Sequence, residues 1–176
     1  MDCIFCKIAK NYIPSYKIYE DSDIIAILDI YPANPGHILI LPKEHFQDIS
    51  KLPDDITGKI FVLAKYLSII LIQALNAKGI NILLSSGETA GQRIPHIIVH
   101  LIPRYENDNI NFVWDRKQVS NEVLSEIQKI LVYYLKNYFQ PASKETESRK
   151  TDKENVDKPK EYKDYTKMIH WFYKNI

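Results

Sequence analysis

The sequence is poor in cysteine: Cys3 and Cys6 are the only two in 176 residues. Two cysteines exclude a disulfide framework. Their spacing, Cys3-Ile4-Phe5-Cys6, suits a metal or a redox pair better than a structural bridge. Charge of one sign is also lacking. There are 23 basic and 22 acidic side chains, a net charge of +1, so nothing electrostatic draws the chain to nucleic acid or an anionic membrane. The start, Met1-Asp2-Cys3, has no basic region, apolar stretch or small-residue cleavage site of a signal peptide. The longest apolar stretch, Ile60 to Leu75, is broken by Lys65, Tyr66, Ser68 and Gln73, which argues against a membrane span. Residues 1–140 contain no repeat and no low-complexity segment. The expectation is a soluble cytoplasmic protein with no membrane and no nucleic-acid partner.

A hydrophobic content of 45% is that of a globular protein. Composition changes near Pro141. Up to that point apolar residues recur regularly, so 1–140 reads as one domain. Beyond it, residues 141–176 read as a charged linker with an aromatic end, Met168-Ile169-His170-Trp171-Phe172-Tyr173, because so polar a stretch buries too little surface to offset its ordering entropy. Within the domain, strands are predicted over Ile18–Glu20, Ile24–Leu28, His37–Leu41, Ile80–Ser85 and Ile94–Ile102. Apolar residues at helical spacing predict helices over Ile56–Ala77, with Gly79 as the stop, and over Val119–Phe139. In the second helix Val123, Ile127, Ile130, Leu131 and Leu135 share a face. Consecutive strands with flanking helices point to an α+β domain with an antiparallel sheet.

The stretch Pro95-His96-Ile97-Ile98-Val99-His100-Leu101-Ile102-Pro103-Arg104 is the most informative. Strand alternation puts His96, Ile98 and His100 on one face and Ile97, Val99 and Leu101 on the other. A histidine facing a cleft serves as nucleophile, general acid or base, or metal ligand; otherwise it is a satisfied structural residue.

This pattern resembles the histidine triad (HIT) family, whose signature is His-x-His-x-His followed by two apolar residues and often Pro-Arg. Further blocks occur in family order across residues 3–105: Cys3-Ile4-Phe5-Cys6-Lys7-Ile8, Ile13-Pro14-Ser15, Tyr19-Glu20-Asp21, Leu28-Asp29-Ile30, Gly36 to His45, and Gly87 to Gln92. The resemblance implies a HIT-like fold, a five-stranded antiparallel sheet with two helices. It also implies a homodimer that binds a purine nucleotide such as AMP. Family enzymes hydrolyse or transfer nucleoside monophosphates through a nucleotidyl-histidine, which divides one difficult displacement into two easier ones.

Ile98 stands where the family has its nucleophilic middle histidine. An isoleucine has no lone pair to attack phosphorus. His100 matches the third triad histidine, and a two-residue strand step displaces its ring by about 6–7 Å. Ser85 replaces a common asparagine and Arg93 a small serine. The resemblance assigns Phe5, Ile8 and Ile30 to the base, Asp29 to the ribose hydroxyls, and Gln92, Arg93, Ser85 and His100 to the phosphate side, with His37 behind. It assigns a closed structural zinc site to Cys3, Cys6, His45 and His96, as four protein ligands would make it. The reading favoured is a nucleotide-binding member whose nucleotidyl-histidine chemistry is impaired or absent. Two alternatives stay open: an active phosphoramidate or dinucleoside polyphosphate hydrolase, and a zinc-stabilised dimeric scaffold for a protein partner.

Overall fold

The computed structural model describes residues 3–139; the linker and aromatic end expected over 141–176, His170 included, lie outside the described residues. The described chain falls into two compact units, one ending at Asn111 and one opening at Phe112.

The first unit is built on strands β1 (Lys17–Glu20), β2 (Ile24–Leu28), β3 (Ile38–Pro42), β4 (Gly79–Leu84) and β5 (Val99–Arg104), with helices α1 (Ile4–Ala9) and α2 (Asp54–Leu75). All strand pairs are antiparallel, in the order β1-β2-β3-β5-β4. The five-stranded α+β architecture expected from the sequence is therefore present.

β2 and β3 read as continuous apolar runs because both of their faces are covered. One face, carrying Ile24, Ala26, Ile38 and Ile40, meets Ile60, Ala64, Leu67 and Leu71 of α2, and Ile97, Val99 and Leu101 join the same core. The other face, carrying Ile25, Ile27, Leu39 and Leu41, meets Cys3, Phe5 and Ile8 from the α1 segment. Burying each such Ile or Leu stabilises the fold by about 1.5–3 kcal/mol. α2 is long and apolar enough to cross a membrane by length and composition; here its Ile60-Ala64-Leu67-Leu71 row is committed to the sheet.

Three differences from the expected elements have a physical reason. α2 ends at Leu75, with Asn76 in the left-handed conformation as its cap, so asparagine rather than Gly79 stops the helix. β5 begins at Val99 and runs through Pro103 to Arg104. Before it, the chain turns at Ile94–His96, with the His96 amide bonded to the Ile94 carbonyl, and Ile97 bonds to the Phe46 carbonyl beyond β3. The third difference is α1, a helix that periodicity did not reveal. It is six residues long with no side-chain cap, too short to leave a periodic signature.

The second unit contains α3 (Asn121–Phe139). It forms where the periodicity put it, and none of its residues is buried; its row of Ile127, Leu131 and Leu135 is exposed.

Candidate functional site

One cleft of about 570 Å³ opens on the sheet face that α1 covers. Of the sequence-derived ligand-binding candidates, Phe5, Ile8, Asp29, Ile30, Ser85, Gln92, Arg93, Ile98 and His100 all line it. His37 does not; it lies buried behind His100. His96, Ile98 and His100 face this cleft, whereas Ile97, Val99 and Leu101 are fully buried on the α2 side. Side-chain alternation thus begins upstream of the point where regular strand pairing does.

Asp29 enters from the loop after β2. Its Oδ1 accepts the Tyr31 amide at 2.9 Å. The loop closes through Asp29 N–H to the His37 carbonyl and His37 N–H to the Asn34 carbonyl. Gly36, at φ +90°, supplies the backbone conformation just before His37, and a Cβ there would sit 2.6 Å from a Leu75 methyl. Asn34 ties the loop to the end of β5, donating to the Pro103 carbonyl at 2.8 Å and to Asp108 at 2.9 Å. Arg104 pairs with the same Asp108 through Nε and a terminal nitrogen, at 2.6 and 2.7 Å. Its guanidinium holds the Asp108 carboxyl far below the usual carboxylate range.

The two histidines form an ordered chain. The Ala33 amide donates to His37 Nδ1 at 3.2 Å, and Asp29 Oδ2 lies farther from that nitrogen, at 3.5 Å. Burial pushes the pKa of His37 down, with the Asp29 carboxylate opposing, so the ring is neutral at pH 7. With Nδ1 accepting, the proton resides on Nε2 and is donated to His100 Nδ1 at 3.1 Å. Burial also lowers the pKa of His100. His100 is then neutral too, and its Nε2–H is the donor left for the cleft.

Gln92 lines the cleft, yet its amide is engaged within the loop. Oε1 accepts the Gly87 amide at 2.7 Å and Nε2 donates to the Gln47 carbonyl at 2.7 Å. It therefore braces the loop as well as lining the site. Arg93 is exposed at the rim. Ile4, Ile13 and Ile94 extend the apolar wall; the sequence reading did not single them out, because only folding brings them beside the β2–β3 face.

A second cluster adjoins the cleft. Cys3, Cys6, His45 and His96 each offer one ligand atom, all within 4.8 Å of one another. Cys3 Sγ is 3.5 Å from His96 Nδ1, Cys6 Sγ is 3.7 Å from it, and Cys6 Sγ is 3.3 Å from His45 Nδ1. Sulfur and nitrogen bound tetrahedrally to one zinc lie about 3.6 Å apart, given bonds of about 2.3 and 2.0–2.1 Å. The donor set and its spacing fit zinc. So does the tautomer: His96 Nε2 is 3.0 Å from the Pro42 carbonyl, which can only accept. The proton sits there, and the Nδ1 lone pair faces the sulfurs, the usual arrangement for a metal-binding imidazole. Burial, and Cys3 beside it, push the Cys6 thiol up, a cost that a bound metal removes by holding the thiolate.

Comparison with known proteins agrees with this architecture. The HIT domain family matches residues 10–107. The adenosine 5'-monophosphoramidase HNT1 of Saccharomyces cerevisiae is 35% identical over 131 residues, 74% of this chain and 80% of that protein. A HIT family protein from Bacillus anthracis has a crystal structure that superposes with a TM-score of 0.71, at 39% identity, covering 76% of this chain and 96% of the other. A zinc-bound histidine triad family protein from Mycobacterium smegmatis superposes at 0.60, with 29% identity, covering 78% and 98%.

Proposed function

The chain belongs to the HIT domain family, and from that premise we propose that it binds a purine nucleotide such as AMP without the family's nucleotidyl-histidine chemistry. The observation that carries the proposal is Ile98. It lines the cleft between His96 and His100, where the family's row calls for the middle histidine, and it offers no nucleophile. His96 is turned toward the cysteines. His100 accepts from His37 through Nδ1 and retains only an N–H toward the cleft. Neither remaining imidazole presents a free lone pair to a phosphorus atom there.

Binding needs less than catalysis, and the parts for it are together. Phe5, Ile8 and Ile30 give an apolar wall for a base. Asp29 is a carboxylate suited to two adjacent ribose hydroxyls. His100 N–H, Ser85, Gln92 with its loop, and the Arg93 guanidinium face the phosphate. Zinc at Cys3, Cys6, His45 and His96 has four protein ligands in this reading, so it is structural, and it puts the chain in the zinc-containing branch of the family. A homodimer is part of the proposal. β4 is an edge strand with Ile82 exposed, and α2 carries exposed Tyr66, Ile69 and Ile70, apolar surface that a second copy would cover. A reducing cytoplasm suits two cysteines that are not joined in a disulfide.

The test is incubation of purified protein with adenosine 5'-phosphoramidate and with a dinucleoside polyphosphate. No turnover, together with AMP binding, is expected. Turnover at a rate typical of an enzyme would establish the active hydrolase instead. Absence of both turnover and binding would favour a zinc-stabilised scaffold.

A further inference from the structure

The metal cluster and the cleft share a wall. α1 carries Cys3 at its N-cap and Cys6 within it, and the same six residues contribute Ile4, Phe5 and Ile8 to the cleft. His96 belongs to both, as a cluster member and a lining residue, and the Phe5 ring lies 6.0 Å from the His96 ring. We propose that metal binding at Cys3, Cys6, His45 and His96 controls ligand affinity in the cleft by fixing α1 as its wall, so that the site couples metal loading to nucleotide binding.

The physical basis is how weakly α1 stands by itself. A six-residue helix is far below the length that is stable in water, and no side chain caps its N-terminus. The backbone bonds around it run locally: Lys7 N–H to the Cys3 carbonyl, Lys10 N–H to the Cys6 carbonyl, and Tyr12 N–H to the Lys7 carbonyl. Its attachment to the sheet face comes from buried Cys3, Phe5 and Ile8 and from the two sulfurs. With the sulfurs joined through a metal to His45, beyond β3, and His96, before β5, the segment is clamped at both cysteines. Without that link, the packing of short α1 through Cys3, Phe5, Ile8 and Ala9 is left to hold the wall, and part of the population has it undocked. A ligand that needs the docked wall then binds with an affinity reduced by the docked fraction.

Linkage makes the effect reciprocal: whatever factor zinc adds to nucleotide affinity, nucleotide adds to zinc affinity. The inference rests on nucleotide binding in the cleft, and the experiment separates the two claims. AMP is titrated calorimetrically into zinc-loaded protein and into protein stripped with a chelator. Zinc transfer from the loaded protein to a competing chelator is then measured with and without saturating AMP; this second arm uses only folded, loaded protein. AMP binding at least about fivefold tighter with zinc, and a matching gain in zinc retention with AMP, is expected. Phe5→Ala, which removes one of the side chains that dock the wall without metal, should lower AMP affinity more in the stripped protein than in the loaded one, while the protein still takes up zinc. AMP binding that is equal with and without zinc, or zinc retention indifferent to AMP that is bound, overturns the coupling but leaves nucleotide binding standing. No AMP binding to the loaded protein overturns both.

Discussion

His37 Nε2 and His100 Nδ1 are hydrogen-bonded across 3.1 Å, and this bond decides which nitrogen of His100 offers a proton to the cleft. His37 is itself oriented by the Ala33 amide. Replacing His37 with leucine removes the donor and frees His100 to change tautomer or rotate. Weakening of AMP binding by about tenfold is expected, the equivalent of one hydrogen bond worth about 1–1.5 kcal/mol. Asparagine or glutamine at the position keeps an N–H and should recover part of the loss. Calorimetry on the variants checks this, and unchanged affinity in His37→Leu would remove His37 from the site.

The same pair sets a pH dependence. Burial holds the pKa of both His37 and His100 below the ordinary histidine value, about 6.5 in an unfolded chain. The unfolded state therefore takes up protons first as the pH falls. The stability contribution is intact above about pH 6.5 and declines as the pH drops through 6.5 toward the folded-state values. Asp21, held down at about 2 by the Ile24 and Asp23 amides despite the opposing effect of burial, acts in a more acidic window. Urea midpoints should fall between pH 7.5 and 5.5. A midpoint that stays level or rises over that interval contradicts the assignment of two neutral buried histidines.

Gly36→Ala tests the loop that delivers His37. The residue sits at φ +90° and its Cβ would lie 2.6 Å from Leu75 Cδ1, so both backbone and packing oppose the change. A destabilisation of more than about 1 kcal/mol is expected, read as a lowered thermal midpoint. AMP affinity should fall with it, because Asp29 and His37 share that loop.

Ile98→His asks whether the rest of the machinery is intact. The side chain at 98 already faces the cleft between His96 and His100. Adenosine 5'-phosphoramidate turnover should emerge in the variant and be absent from the wild type. Because Ser85 and Arg93, which line the same cleft, depart from the family pattern, the rate expected of the variant is below that of a family enzyme. Turnover by the wild type equal to that of the variant would show that position 98 does not decide the chemistry.

Much of the scaffold was legible because its signals are local. The unbroken apolar runs of β2 and β3 and the row of Ile60, Ala64, Leu67 and Leu71 on α2 define the layers directly. The connection between β1 and β2 is equally local: Asp21 Oδ1 accepts the amides of Asp23 and Ile24, both at 2.8 Å. What periodicity missed depends on partners distant in sequence. α1 exists as a packed element because Phe5 and Ile8 find the β2–β3 face. Cys6 meets His45 across 39 positions and Cys3 meets His96 across 93, a convergence that only the family resemblance flagged. The start of β5 at Val99 reflects the turn at Ile94–His96, where Pro95 has no amide to give a ladder. The engagement of the Gln92 amide with Gly87 and Gln47 depended on a loop conformation that no pattern encodes.

The central claim is that this cleft holds a purine nucleotide through Asp29 while Ile98 leaves it without a nucleophile. Calorimetric titration of AMP into the zinc-loaded wild type and into Asp29→Ala tests it most directly. Saturable binding of one AMP per chain, weakened at least about tenfold by loss of the carboxylate, whose charged hydrogen bonds are worth about 1.5–3 kcal/mol, is the predicted result. Absence of binding to the wild type, or binding indifferent to Asp29, would contradict it.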